Sequence, residues 1–377
     1  MSAASDRILT THAGSLPRPD DLADMIWARM DGREVDEHEL QARIASAVAE
    51  VVAQQRKAGI DVVSDGEMSK TGFSTYVNER FSGFEGRSEF QADDVAEFPE
   101  LAMRLFNTPS MAHIVFSNCV GPVKLADRDA VHQDIARLQR ALDGTAQEAF
   151  MGAISPGQIA FNYPDRHYGS HERYLAALAD ELAYEYRAIA DAGFKLQIDS
   201  PDMAMAAHCR SVGSSVGDWH THLPPAVEAL NAALAGIPPE QVRLHVCWGN
   251  YGGPHHKDVP LASIIGEVLK VNAGTIYVEG ANPRHAHEWR VFEEVELPDD
   301  KSVILGVIDV KTNCVEHPQL VAERLVRLGR IIGKERLIAG TDCGFDTFIR
   351  FSLVDPGVAW LKLRSLAEGA EIASAEL

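Results

Sequence analysis

The feature that most restricts how this chain can fold is an alternation kept from end to end. A short apolar run closes on a turn signal, and a longer stretch with apolar positions at helical spacing follows. Parallel strands need long crossover connections, usually helices, so the alternation predicts a parallel sheet covered by helices. With one hairpin set aside, eight strand-like runs are read, beginning near Ile8, Ile60, Ala149, Phe194, Leu244, Thr275, Val303 and Leu337. Six of them end at a polar or reactive residue: Ser15, Glu67, Asp199, Cys247, Glu279 and Cys343. Polar groups gathered at the C-terminal ends of parallel strands mark the active face of a barrel. The expected fold is therefore α/β, a single (β/α)8 TIM-type barrel domain over residues 1–377. An inserted hairpin or lid is expected at about 70–145, with the hairpin at His113 to Leu125.

The formal net charge of −20 disfavours phosphate backbones and anionic membrane surfaces as partners. Met1 to Asp20 contains no apolar h-region, so no signal peptide is read, and no apolar run is long enough to span a bilayer. Five cysteines in 377 residues do not make a disulfide framework. A reducing cytoplasm is expected, where cysteines more often serve metal binding or catalysis. The acidic surface is compatible with a monomer or a homo-oligomer.

His245 and Cys247 are two residues apart on one run, so on a strand both side chains point to the same face. An imidazole and a thiolate projecting together form half of a zinc site, and Cys343 closes a second run at the same kind of place. One nitrogen and two sulfurs suit Zn2+. Glu279 ends the run between them and is a candidate fourth, exchangeable ligand. Two uses compete for such a site. Water can be activated for hydrolysis, with Glu279 or Asp309 as the base. Alternatively a substrate thiol binds and loses its proton. A sulfur-rich ligand set disfavours carbonyl activation and keeps a thiolate nucleophilic, which favours thiol alkylation.

At this point the chain resembles the catalytic half of cobalamin-independent methionine synthase and its smaller relatives, which include epoxyalkane:coenzyme M transferase (2-hydroxypropyl-CoM lyase). The resemblance runs from Thr10 to about Thr347. It is carried by Ala13-Gly14-Ser15-Leu16-Pro17, Asp65-Gly66-Glu67, Gln197-Ile198-Asp199-Ser200-Pro201, His245-Val246-Cys247, Tyr277-Val278-Glu279 and Thr341-Asp342-Cys343-Gly344. It implies a barrel holding one zinc, with His245, Cys247 and Cys343 as ligands and Glu279 as a carboxylate that the substrate thiol displaces. Ser15, Glu67 and Asp199 match positions that hold the amino-acid end of homocysteine in methionine synthase.

Two departures separate the chain from that enzyme. A tryptophan that stacks near the folate has its nearest counterpart at Asn162, and the zinc run extends into a loop carrying Tyr251, His255, His256 and Lys257. Both favour the coenzyme M reading, in which a thiolate opens an epoxide to give a 2-hydroxyalkyl thioether. Tyr251 or His255 would then quench the alkoxide, and Arg18, Lys70 or Lys257 would meet the sulfonate. Homocysteine S-methylation is the alternative, favoured by Glu67 and Asp199. Either way the partners are a small-molecule thiol and a small electrophile. Cys119, Cys209 and Cys314 read as ordinary thiols, His285, His287 and Trp289 as helix surface, and His12 as a residue able to line the pocket. Asp65, Asp202 and Asp342 read as residues holding loops.

Overall fold

The computed structural model describes residues 7–212 and 219–377; the first six residues of the N-terminal reading lie outside it. Seven parallel strands form one sheet: β1 (Leu9–Thr10), β2 (Phe150–Ile154), β3 (Lys195–Asp199), β4 (Val242–Val246), β5 (Thr275–Val278), β6 (Ser302–Ile308) and β7 (Leu337–Thr341). Their order is β1-β7-β6-β5-β4-β3-β2, every pairing parallel, so the sheet curls with sequential strands side by side. The strands read as near-continuous apolar runs because helices cover the sheet. The helix Glu37–Lys57 turns Leu40, Ile44, Val48, Val51 and Val52 inward, and Asp36 caps it by accepting from the Glu39 N–H. Another covering helix, Pro318–Ile332, turns Val321, Leu325 and Leu328 inward. Gly193, at φ +86, follows the C-cap Ala192 of the helix His171–Asp191 and ends it in the left-handed conformation that glycine adopts freely.

The expectation of eight regular strands is not met. The run at 60–64 makes one bridge, Val63 to Ala149. It still touches both edges of the sheet: the Asp61 and Val62 N–H groups both donate to the Thr10 carbonyl, and the Phe150 N–H donates to that of Val63. Side chains occupy the groups a longer ladder would use. Asp61 accepts from the Thr10 N–H, and Gln55 accepts from the Ser64 N–H.

The inserted region also differs. His113 to Leu125 is not a hairpin; Asn118–Leu125 is one strand, paired antiparallel with Phe81–Glu85. Pro122 has no N–H, and the pairing bulges between Ser82 and Phe84, where Gly83 sits at φ +98 against the Pro122 carbonyl. A second small pairing joins Phe90–Ala92 to Cys209–Ser211. Short helices at Pro99–Phe106 and Pro109–His113 complete the insertion. The helix Asp129–Leu142 buries Val131, Leu138 and Leu142 in the main core, so the inserted part ends before it. Among the described residues no helix is long and apolar enough to cross a membrane.

Candidate metal centre

The C-terminal ends of the strands carry the site. Asp199 is the last residue of β3, Cys247 and Glu279 each follow the last residue of β4 and β5, and Cys343 lies two residues past β7. Parallel pairing sets Asp199 opposite His245, and His245 opposite Tyr277, on three neighbouring strands.

The ligand atoms of His245, Cys247 and Cys343 lie within 4.8 Å of one another, and all three residues are buried. The two sulfurs are 3.9 Å apart. A tetrahedral zinc with Zn–S bonds of about 2.3 Å separates two sulfurs by about 3.8 Å. Nδ1 of His245 lies 2.9 Å from Asp199 Oδ1, while Nε2 is buried without a partner. A carboxylate on one ring nitrogen leaves the other free and oriented, which is how metal-binding histidines are held. The donor set, the sulfur spacing and the orphaned Nε2 together fit zinc. The thiol–thiol contact pulls the Cys247 pKa down and pushes that of Cys343 up.

Glu279 stands beside this group without belonging to it. Its Oε1 accepts from the Trp248 N–H at 3.1 Å, and its Oε2 lies 3.2 Å from Lys311 Nζ. Burial raises its pKa, but the charges of Lys311, His285 and His255 outweigh that and the net shift is downward. Asp342 holds the following turn, accepting from the N–H groups of Gly280, Ala281 and Asn282.

A cavity of about 440 Å³ opens beside the triad. Its polar lining, the floor, includes Ser15, Glu67, Asp199 and Asn250; its apolar lining, the wall, holds Phe73, Phe90, Phe106, Phe116, Phe348 and Phe351. Glu67 sits at φ +60, a conformation that a glutamate adopts at some cost. Its N–H donates to Asp65 Oδ1 at 3.0 Å. Gly14 makes room for it: a Cβ there would lie 2.8 Å from Glu67 Oε1. A Cβ on Gly152 would lie 3.1 Å from Asp199 Oδ2 and 3.6 Å from Glu67 Oε1, so the two carboxylates flank that glycine. Burial, opposed by Lys70 and reinforced by Asp199, brings the Glu67 pKa up to about 7.

Ser15, Glu67, Asp199, His245, Cys247, Tyr251 and Cys343 all line this cavity. Several other sequence candidates do not. Arg18 is buried with its guanidinium on Asp346 and on the carbonyls of Glu67 and Lys70. Lys70 donates to the Gly152 carbonyl, and Lys257 pairs with Glu97 outside. His255 has both ring nitrogens engaged, by Asp258 and by the Tyr251 carbonyl. His12 contacts Gln55. His285 is no surface residue: it stacks on Trp248 and lies 2.9 Å from Asp258. Cys119 and Cys209 are buried and Cys314 is exposed.

Sequence reasoning missed three things: the role of Asp199 towards His245, the phenylalanine wall, and the lining residues Thr347 and Asn250. The first had a signal, since both residues end strands that a parallel order sets side by side.

The family model for the cobalamin-independent synthase catalytic domain matches residues 8–352. A 2-hydroxypropyl-CoM lyase from Xanthobacter autotrophicus is 27% identical over 369 residues, covering 90% of this chain and 87% of that protein. A methionine synthase from Thermococcus kodakarensis is 26% identical over 370 residues, covering 98% of this chain and 94% of that protein. A solved B12-independent methionine synthase from a Shewanella species shares the fold, with a TM-score of 0.72 at 24% identity and 98% of each chain covered. With most of its length matched by the family model, the chain belongs to the cobalamin-independent synthase catalytic-domain family.

Proposed function

We propose that this protein is a zinc-dependent S-alkyltransferase whose nucleophile is an amino-bearing thiol of the homocysteine type. The observation that carries the reading is the placement of two buried carboxylates, Glu67 and Asp199, on the floor of the cavity that the His245–Cys247–Cys343 triad lines. Glu67 Oε2 is buried without a partner, and an ammonium group would satisfy it.

A zinc ion held by two thiolates and an imidazole supplies a position where a thiol, with an ordinary pKa of about 8.5, is deprotonated at neutral pH and stays nucleophilic. The chain's own residues do the rest. Asp199 orients His245 through Nδ1. Glu67 and Asp199 hold the ammonium and so fix the thiol's chain. The phenylalanine wall excludes water from the attacking sulfur. Glu279 is the exchangeable fourth ligand of this reading, and it must leave Lys311 to serve.

A second reading is favoured by the likeness to the 2-hydroxypropyl-CoM lyase. Here the thiol is coenzyme M and the electrophile an epoxide. Tyr251 would be the proton donor, since its hydroxyl is buried without a partner. Against it, the sulfonate would sit among carboxylates, and Arg87 at the exposed mouth is the one Lys or Arg among the lining residues.

Calorimetry on the zinc-loaded protein, run in buffers of different ionisation enthalpy, tests the choice. Homocysteine is expected to bind with proton release, and coenzyme M to bind far more weakly. Proton release with coenzyme M alone would move the assignment to epoxide opening. Release with neither would remove thiol activation and return the zinc hydrolase to consideration.

A further inference from the structure

Lys311 brings a largely buried ammonium to the metal centre, and the proposed reaction does not use it. Its side chain is 9% exposed, and that of its partner Glu279 is fully buried. The loop after β6 is built to hold it. The Lys311 N–H donates to Asp309 Oδ1 at 2.8 Å, the Asp309 N–H donates to Glu316 Oε1 at 2.9 Å, and Glu316 Oε2 pairs with Lys362 at 2.9 Å. Burying an ammonium is costly unless a counter-charge meets it, so a lysine kept here calls for an explanation. Burial disfavours its charge, but Glu279, Asp342, Cys343 and Cys247 outweigh burial and its pKa lies above the ordinary value.

Glu279 stands between this ammonium and the ligand set. The register sets Val246 opposite Val278, so Cys247 and Glu279, the next residue of each, leave neighbouring strands side by side. Glu279 Oε1 accepts from the N–H of Trp248, the residue after Cys247. The other oxygen, Oε2, is held by Lys311 Nζ at 3.2 Å and by Asn282 Nδ2 at 3.3 Å. A carboxylate displaced from a buried metal needs a counter-charge nearby, since one left unpaired in the interior is strongly disfavoured. Lys311 supplies that counter-charge.

Resting on the S-alkyltransferase reading, we infer that Lys311 is a positioning residue that competes with the metal for the Glu279 carboxylate and so keeps the fourth position open to the substrate thiol. When the thiol binds, its S–H proton goes to solvent, the thiolate takes the fourth position, and Glu279 stays with Lys311 as an ion pair of no net charge. The total charge of the fourth ligand is the same whether carboxylate or thiolate occupies the position. The balance between them therefore turns on what holds the carboxylate when it is off the metal, and that is Lys311.

The test compares two dissociation constants: that of zinc, by chelator competition without thiol, and that of homocysteine, by calorimetry on zinc-loaded protein. Lys311→Met frees Glu279 for the metal. Zinc is then expected to bind roughly tenfold more tightly and homocysteine roughly tenfold more weakly. The opposite signs separate this from a merely structural role, since a loosened site would weaken both. Lys311→Arg keeps the charge and is expected to behave as wild type, and in a Glu279→Gln background both shifts are expected to vanish. If Lys311→Met does not fold, Lys311→Gln carries the test with the same signs at smaller size. Zinc binding that does not tighten, homocysteine binding that does not weaken, or shifts that persist in the Glu279→Gln background would overturn the inference and leave the reading in place. A wild-type protein that binds homocysteine without releasing a proton, or not at all, would overturn both.

Discussion

Asp199 and His245 face each other across neighbouring strands, with Oδ1 of the carboxylate 2.9 Å from Nδ1 of the imidazole. The same Asp199 oxygen accepts from Gln197 Nε2 at 2.8 Å, so the carboxylate is itself held. One residue thus serves two neighbours, turning Nε2 towards the two thiols and offering its second oxygen to the cavity. Asp199→Asn is expected to weaken zinc binding by about 10- to 100-fold and to weaken homocysteine binding as well. Competition against a chelator of known affinity reads the first effect. Unchanged zinc affinity would mean that the pair does not orient the ligand.

Glu67 gives a pH dependence whose sign is fixed. Its carboxyl is carried from an ordinary value near 4.5 to about 7 by burial. Between those values the unfolded chain binds fewer protons at this site than the folded one, so the group's contribution to stability is lost as pH rises through the window. Glu67→Gln removes that loss. The metal-free variant should gain up to roughly 3 kcal/mol on wild type between pH 4.5 and pH 8. It should also bind homocysteine more weakly above pH 7, where wild-type Glu67 is ionised. Urea unfolding at both pH values checks the first statement; a stability difference that does not change with pH would contradict it.

Phe348 lies at the centre of the apolar wall, with ring centroids 5.4 Å from Phe73 and 6.3 Å from both Phe116 and Phe351. It is half-buried, so Phe348→Ala should cost less than the roughly 3–5 kcal/mol of a fully buried phenylalanine. Its main effect should fall on the second substrate. The KM for an apolar electrophile should rise by about tenfold, which is some 1.4 kcal/mol, while the dissociation constant for the thiol stays the same. Steady-state kinetics with each substrate varied in turn separates the two. A change confined to the thiol would place the electrophile elsewhere.

Much of the floor of the site is readable from the sequence, because Ser15, Glu67 and Asp199 each end an apolar run and two-residue spacing fixes which face a side chain takes. His245 with Cys247, and the gathering of Cys343 and Asp199 beside them, follow from that and from a parallel sheet of sequential strands. The wall is not readable in this way. Phe73, Phe90, Phe106, Phe116, Phe348 and Phe351 come from segments without a repeating period, and their convergence depends on short helices and on pairings such as Asn118–Leu125 with Phe81–Glu85. Arg18 and His255 have the right chemistry for a site, but their hydrogen bonds go to Asp346 and to Asp258. Those partners are 328 and 3 residues away in the chain, and residue type alone does not reveal them. The run at Ile60 fails as a regular strand for a local reason, since Asp61 and Gln55 occupy backbone groups that a ladder would need.

X-ray absorption at the zinc edge, recorded on loaded protein with and without homocysteine, tests the central claim most directly. The predicted result is one zinc per chain with two sulfur neighbours in the free protein, from Cys247 and Cys343, rising to three when homocysteine is added. Two sulfurs in both samples would show that the thiol does not reach the metal, and failure to retain zinc stoichiometrically would contradict the metal centre itself.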